Sequence, residues 1–416
     1  MLTKAVRLYG AGDLRLEEFE LGEIGDDEIL VEVISDCVCM STYKCATLGP
    51  AHKRVPQDVA EHPTIMGHEM AGNIVQVGAE YRGLFKAGDK FTMQPALNYK
   101  GSMWSPGYSY TRCGGNATYC VMPPEVMALG CLLPYTGEAY FEASLAEPMS
   151  CCIGAFRAAY HTRMGVYTHD MGIRAGGRLA ILAGAGPMGM GAVEYALGCD
   201  RRPGVIVVTD IDESRLAQCR RFFADKAEKN GIVIHFINTA GMADPAGALK
   251  ALAGGGFDDV MIFAPVGGLM TLASGILGRD GCINFFAGPT DTQLMGSINC
   301  YDLHYNSAHV MGTTGGNTDD MKESLTLSAQ GNINPAVMIS HIGGLDCAAQ
   351  TILTLPQLGG GKKLIYNHIS MPLTAIADFG DKAKEDLRFG ALADIVAANN
   401  GLWCAAAEKF LLAHWD

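Results

Sequence analysis

The chain has 416 residues, 49% of them hydrophobic and 18% charged, with a formal net charge of −13. That length implies two or three domains with room for a large core, and the apolar content excludes intrinsic disorder. The acidic balance argues against nucleic acid or an anionic membrane as the main partner.

Met1-Leu2-Thr3-Lys4 opens the chain with no apolar h-region or small-residue cleavage site, so a cytoplasmic location is expected. The 14 cysteines are then reduced thiols serving as core, metal ligands or redox groups. Residues 29–34 and 71–77 read as short strands within a β-rich first 150 residues. From about residue 175 apolar strands at 178–183, 205–209, 260–264 and 282–287 alternate with helical stretches. That alternation predicts βαβ units and a doubly wound parallel sheet. The window 179–198 carries one charge, Glu194, but Gly184-Ala185-Gly186-Pro187 would break a spanning helix. No transmembrane segment is expected. Gly359-Gly360-Gly361 reads as a loop, and the last forty-odd residues as alanine-rich helices.

The predicted strand 178–183 runs into Gly184-Ala185-Gly186-Pro187-Met188-Gly189, followed by a helical segment. This is G-x-G-x-x-G in the setting that gives it meaning: a tight turn, a close backbone approach to a pyrophosphate, and close helix–strand packing. Asp210 ends the next strand 21 residues after Gly189. An acid there accepts from the adenosine ribose hydroxyls of NAD and repels the 2′-phosphate of NADP. Arg215, nearby, could accommodate that phosphate, so NAD(H) is favoured and NADP(H) remains possible.

Three places in the first domain carry metal-ligand chemistry. Cys39 lies in Asp36-Cys37-Val38-Cys39-Met40-Ser41, Gly67-His68-Glu69 follows, and Ala146-Glu147-Pro148 comes last. Thiolate, imidazole and carboxylate suit a catalytic zinc with an open position. Taken singly, each has a plain structural explanation.

Their order does not. Cys-x-Ser, Gly-His-Glu, Glu-Pro and then Gly-x-Gly-x-x-Gly resembles the zinc-dependent medium-chain dehydrogenases, in the polyol branch. Gly88-Asp89-Lys90, Gly114-Gly115-Asn116-Ala117 and Gly256-Phe257-Asp258 extend the resemblance over about residues 1–370. It implies a GroES-like β-rich catalytic domain over 1–160, completed by 314–416 with a C-terminal helical extension, and a Rossmann domain over 161–313. It further implies one zinc on Cys39, His68 and one or both of Glu69 and Glu147, with Ser41 relaying a proton. Lys44 stands where the relay usually has a histidine, and Thr42 where an aspartate is common. Only Cys113 and Cys120 lie where the family's structural zinc takes four cysteines, so no structural zinc is expected.

In chain length, in the long stretch between Cys39 and His68 and in the extension beyond about residue 370, the chain resembles the ketose-phosphate reductases of that branch, and the resemblance implies reduction of a ketose phosphate. The best candidate is L-sorbose 1-phosphate, giving D-glucitol 6-phosphate. An anionic substrate needs a basic anchor in so acidic a chain; Lys53 and Arg54 are the candidates, with His52, Lys44 and Arg112 as alternatives. A homo-oligomer, dimer or tetramer, is expected. The other readings are a dehydrogenase of an unphosphorylated polyol and a nucleotide-binding relative without alcohol chemistry.

Overall fold

A computed structural model describes residues 1–163 and 165–415. The chain divides into two compact units, Met1–Glu147 with Ile339–Asp416, and Pro148–Met338.

In the first unit, strands Thr374–Ala375, Ile339–Gly344, Lys362–Tyr366, Ile29–Val38, Met70–Val77, Lys90–Met93 and Leu132–Tyr135 lie in that order in one mixed sheet. Tyr119–Met122 also pairs with Ile29–Val38. Ile29, Val31 and Val33 alternate onto one face and pack on Met70, Ile74 and Phe91, a period-2 pattern that fixes the register. Lys362–Tyr366 pairs antiparallel with the end of Ile29–Val38, placing Lys363 opposite Val38. The chain's last quarter thereby reaches the strand that leads to Cys39.

The second unit holds a six-stranded sheet, wholly parallel, in the order Val233–Asn238, Val205–Asp210, Arg178–Leu182, Phe257–Ile262, Leu277–Phe285, His309–Gly312. In chain order this is 3-2-1-4-5-6, the dinucleotide-binding arrangement. The window 179–198 is a buried strand, turn and helix, and among the described residues no helix is long and apolar enough to cross a membrane. Two strands escaped sequence reading: Val233–Asn238 and His309–Gly312 are partly exposed edges without a continuous apolar run. The strands expected at 260–264 and 282–287 begin earlier, at Phe257 and Leu277. Acidic residues hide the first start. Asp258 Oδ2 accepts from the Arg178 amide at 2.8 Å and Asp259 Oδ2 from the Arg174 amide at 2.9 Å.

The units part at 147/148 and 338/339 rather than at 160/161 and 313/314. Helix Ala146–Ala158 is tied to the parallel sheet by the Asn284 side chain, which donates to the Ala155 carbonyl. Helix Thr318–Ala329 is tied to helix Pro187–Gly198 of the same unit by Glu323, which accepts from the Tyr195 hydroxyl. Helices Leu387–Ala398 and Ala405–His414 do form in the alanine-rich tail, with Phe379 and Phe389 packed near the buried Trp403.

Candidate metal and dinucleotide sites

Cys39 occupies the junction where strand Ile29–Val38 ends and helix Met40–Leu48 begins. His68 and Glu69 lie in the connection to strand Met70–Val77. Gly67 is obligatory there: its φ is +91°, and a Cβ would sit 2.6 Å from both the Asn116 amide nitrogen and Asp36 Oδ2. Asp36 in turn accepts from the Glu69 amide at 3.0 Å and from Asn116 Nδ2 at 2.9 Å. The Gly-Gly-Asn motif and the Gly-His-Glu motif are thus two sides of one close contact.

Cys39, His68 and Glu69 each offer a ligand atom, all within 4.8 Å of one another. Cys39 Sγ stands 3.3 Å from His68 Nε2. Two donors of a tetrahedral zinc, at about 2.3 Å for sulfur and about 2.0 Å for nitrogen, stand about 3.5 Å apart. The Cys39–His68 pair therefore fits zinc in spacing, and the thiol, imidazole and carboxylate of the group fit it in chemistry. Thr42 Oγ1 lies 3.3 Å from His68 Nδ1. With the Nδ1 proton donated there, the Nε2 lone pair faces the thiolate, as ligation requires. Burial pushes the His68 pKa down, against the opposing charges of Glu147 and Glu69. Neutral imidazole is the form a metal takes.

Glu69 shares both oxygens with Lys362 Nζ, at 2.5 and 2.7 Å. Burial raises its pKa to about 7, with Lys362 pulling the other way. Glu147 falls outside the group of three, at the start of helix Ala146–Ala158, though its charge acts on His68.

Ser41 Oγ is 2.6 Å from Cys39 Sγ and 3.3 Å from His68 Nε2. Lys44 follows on the same helix, partly buried, its pKa lowered by burial against the charge of Cys39. Tyr108 was missed in the sequence. Its hydroxyl lies 3.2 Å from His68 Nε2, and its ring stacks at 5.8 Å on His52 and lies 5.5 Å from the Arg54 guanidinium. Burial above all, with the charges of Arg54, Lys53 and Lys44, pushes the His52 pKa down to about 4. Lys53 itself is exposed. Arg112, an alternative anchor, is tied instead to Glu28 at 3.1 Å and the Glu23 carbonyl at 2.9 Å.

In the second unit, Gly186 caps helix Pro187–Gly198, with Pro187 and Met188 in its first turn. A Cβ on Gly186 would meet nothing within 4 Å, leaving the open space a pyrophosphate needs. A Cβ on Gly189 would lie 2.5 Å from Gly184 Cα, so helix and turn can touch only through glycine. Asp210 ends its strand, accepting from the Ala185 amide at 3.2 Å and the Ile211 amide at 2.8 Å. Arg215 pairs with Asp212 at 3.5 Å.

Two family models match: an alcohol dehydrogenase GroES-like domain over residues 25–132 and a zinc-binding dehydrogenase over 187–330. The chain is 52% identical to mannitol-1-phosphate 5-dehydrogenase of Aliivibrio fischeri, across all of this chain and 98% of that protein. It is 45% identical to L-sorbose 1-phosphate reductase of Klebsiella pneumoniae, across 99% and 98%. The chain belongs to the zinc-dependent medium-chain dehydrogenases.

The fold agrees: 2R,3R-butanediol dehydrogenase from Bacillus subtilis superposes with a TM-score of 0.71 at 20% identity, covering 88% of this chain and 100% of that one. This medium-chain dehydrogenase is an oxidoreductase, with a GroES-like unit and a Rossmann unit. Sequence reasoning missed two of its residues, for different reasons. Lys362 stands in a Gly-Gly-Gly-Lys-Lys run that reads as a solvated loop, yet both lysines are buried. Tyr108 lies in a stretch of turns with no motif around it. All fourteen cysteines are free thiols, Cys300 alone exposed, and Cys113 and Cys120 are buried in the core of the first unit.

Proposed function

We propose that this dehydrogenase interconverts a ketose phosphate and a polyol phosphate, using NAD(H) and one zinc. We favour reduction of L-sorbose 1-phosphate to D-glucitol 6-phosphate. The observation that carries the proposal is the convergence of Cys39, Ser41, Glu69 and Tyr108 on His68, with the Arg54 guanidinium one aromatic ring away. Cys39 and His68 would hold the zinc. The third donor is Glu69, which shares its oxygens with Lys362, or Glu147, whose charge acts on His68. Gly184, Gly186 and Gly189 cradle the dinucleotide. Asp210 at the end of the second strand favours NAD(H), and the Asp212 partner of Arg215 works against a 2′-phosphate.

When bound, the zinc polarises a carbonyl oxygen and the dinucleotide supplies hydride. The chain's own residues do the rest. Ser41 holds its hydroxyl beside Cys39 and His68, where it can pass a proton to the nascent alkoxide and recover one from Lys44 or water. Tyr108 presents a second hydroxyl to the same place. Arg54, whose guanidinium lies 5.5 Å from the Tyr108 ring and donates to the Met103 carbonyl at 3.4 Å, offers a fork to phosphate.

The second reading is mannitol 1-phosphate, favoured by the 52% identity to the Aliivibrio fischeri protein of that name. Parallel assays decide. NADH and NADPH oxidation are followed with L-sorbose 1-phosphate, D-fructose 6-phosphate and free L-sorbose, and NAD reduction with mannitol 1-phosphate. Highest kcat/KM on L-sorbose 1-phosphate is expected. Equal efficiency on free L-sorbose would remove the phosphate anchor from the account.

A homo-oligomer is also proposed. Tyr301, Leu303 and Tyr305, on helix Cys300–Tyr305, and Val310, on the edge strand His309–Gly312 that pairs on one side only, are exposed. Light scattering tests it, a monomeric mass being the contrary result.

A further inference from the structure

The segment beyond residue 370 carries no chemical motif, yet it buries a carboxylate. Glu408, on helix Ala405–His414, is 3% exposed. Its Oε2 accepts from the Tyr140 amide at 2.6 Å; its Oε1 accepts from the Phe141 amide at 2.8 Å and from the Tyr366 hydroxyl at 2.7 Å. The Tyr366 oxygen accepts in turn from Trp403 Nε1 at 2.8 Å. Burying a carboxylate costs several kcal/mol, and an apolar side chain would pack the tail without that cost. The charge calls for an explanation beyond packing, and its partners supply one.

Tyr140 and Phe141 open helix Tyr140–Ser144, which ends three residues before Glu147. The same helix is fastened to the strands that deliver the other site residues. Thr92 Oγ1 lies within hydrogen-bond distance of both the Ala143 carbonyl, at 2.8 Å, and the carbonyl of Met70, the residue after Glu69. Ser144 Oγ meets Ser35 Oγ at 2.7 Å, one residue before the Asp36 that holds the Glu69 amide. The other partner, Tyr366, ends strand Lys362–Tyr366, whose first residue grips Glu69. One route from Glu408 therefore runs along strand Lys362–Tyr366 to Glu69, and the other through helix Tyr140–Ser144, three residues before Glu147 in the chain, to the strands beside Glu69.

We propose that Glu408 is a positioning residue: through it the C-terminal extension clamps helix Tyr140–Ser144 to strand Lys362–Tyr366 and so fixes the carboxylate side of the metal centre. The inference rests on the zinc reading above.

Full-length Glu408→Gln and Glu408→Ala test it. Glutamine keeps the shape and one acceptor oxygen but turns a donor toward a backbone amide. Zinc release to excess chelator, NADH affinity, kcat and KM are measured well below the melting temperature, beside the melting temperature itself. Loss of an outer-shell partner typically weakens metal binding about 10- to 100-fold. Zinc release about 10-fold faster is expected, with lower kcat, unchanged NADH affinity, and glutamine intermediate between parent and alanine. Parent-like zinc release and kcat, with only a lower melting temperature, would reduce Glu408 to a structural staple and overturn the proposal. Should both variants fail to fold, Tyr366→Phe decides: faster release supports the clamp, and parent-like release contradicts it. A parent protein that holds no zinc would overturn the metal reading itself.

Discussion

Replacing Lys362 by methionine isolates the ion pair beneath the metal centre. The side chains of Lys362 and Glu69 are 5% and 2% exposed, and Nζ stands 2.7 Å from Oε2. At that distance an effective dielectric of about 20 gives about 6 kcal/mol of attraction. Desolvating the two charges offsets much of it, so the intact pair contributes little net stability. Removing one partner is different, because Glu69 is left as an uncompensated buried carboxylate at a cost of about 3–5 kcal/mol. At about 2–4 °C per kcal/mol, Lys362→Met should melt about 10 °C below the parent. All three tryptophans, Trp104, Trp403 and Trp415, lie in the unit that contains the pair, so tryptophan fluorescence follows its unfolding selectively. Zinc is held at fixed concentration, since binding shifts apparent stability. The double variant Lys362→Met/Glu69→Gln should recover about 2 kcal/mol or more relative to the sum of the single losses. A coupling below about 0.5 kcal/mol would refute the reasoning.

Three further outcomes follow from separate parts of the molecule. Gly189→Ala should weaken NADH binding, read by fluorescence titration, about 10-fold or more, since overpacking against the Gly184 backbone costs about 1–3 kcal/mol; an unchanged Kd would contradict the packing argument. Arg54→Ala should raise KM for the phosphorylated substrate about 10- to 100-fold, the value of a charged hydrogen bond, while leaving activity on free L-sorbose unchanged; equal effects on both substrates would count against the anchor. His161 in the Rossmann unit is buried; burial alone would lower its pKa, but Asp259 at 3.3 Å and the Asp280 carbonyl at 2.9 Å outweigh it and raise the value. The native state thus binds that proton more tightly than the unfolded chain. The stabilisation is full below about pH 6.5 and is lost as pH rises through the folded value. Calorimetry over pH should show this decline in the parent and a flatter curve in His161→Gln; parallel curves would dismiss it.

The sequence made the middle of the chain readable because buried parallel strands leave continuous apolar runs, and Gly184, Gly186 and Gly189 stand at spacings only one turn requires. It also supplied Cys39, His68 and Ser41, whose order along the chain is distinctive. What stayed hidden depends on tertiary contact. Lys362 is 293 residues from Glu69, and nothing in a glycine–lysine run announces a buried cation. Tyr108 reaches His68 from a turn-rich stretch where one tyrosine reads like another. The unit limits fall elsewhere because helices Ala146–Ala158 and Thr318–Ala329 attach to the parallel-sheet unit by tertiary contacts, Asn284 to the Ala155 carbonyl and the Tyr195 hydroxyl to Glu323 among them. Glu408 is the extreme case: a lone acid in an alanine-rich helix reads as a solvated face until its three donors are located.

The most direct test of the account is the zinc content of the purified parent protein and of Cys39→Ser, each measured beside turnover and NADH binding. About one zinc per chain is expected in the parent. In Cys39→Ser, zinc and turnover should be lost while NADH still binds at the glycine-rich turn. Full turnover in a Cys39→Ser protein without zinc would contradict the central claim.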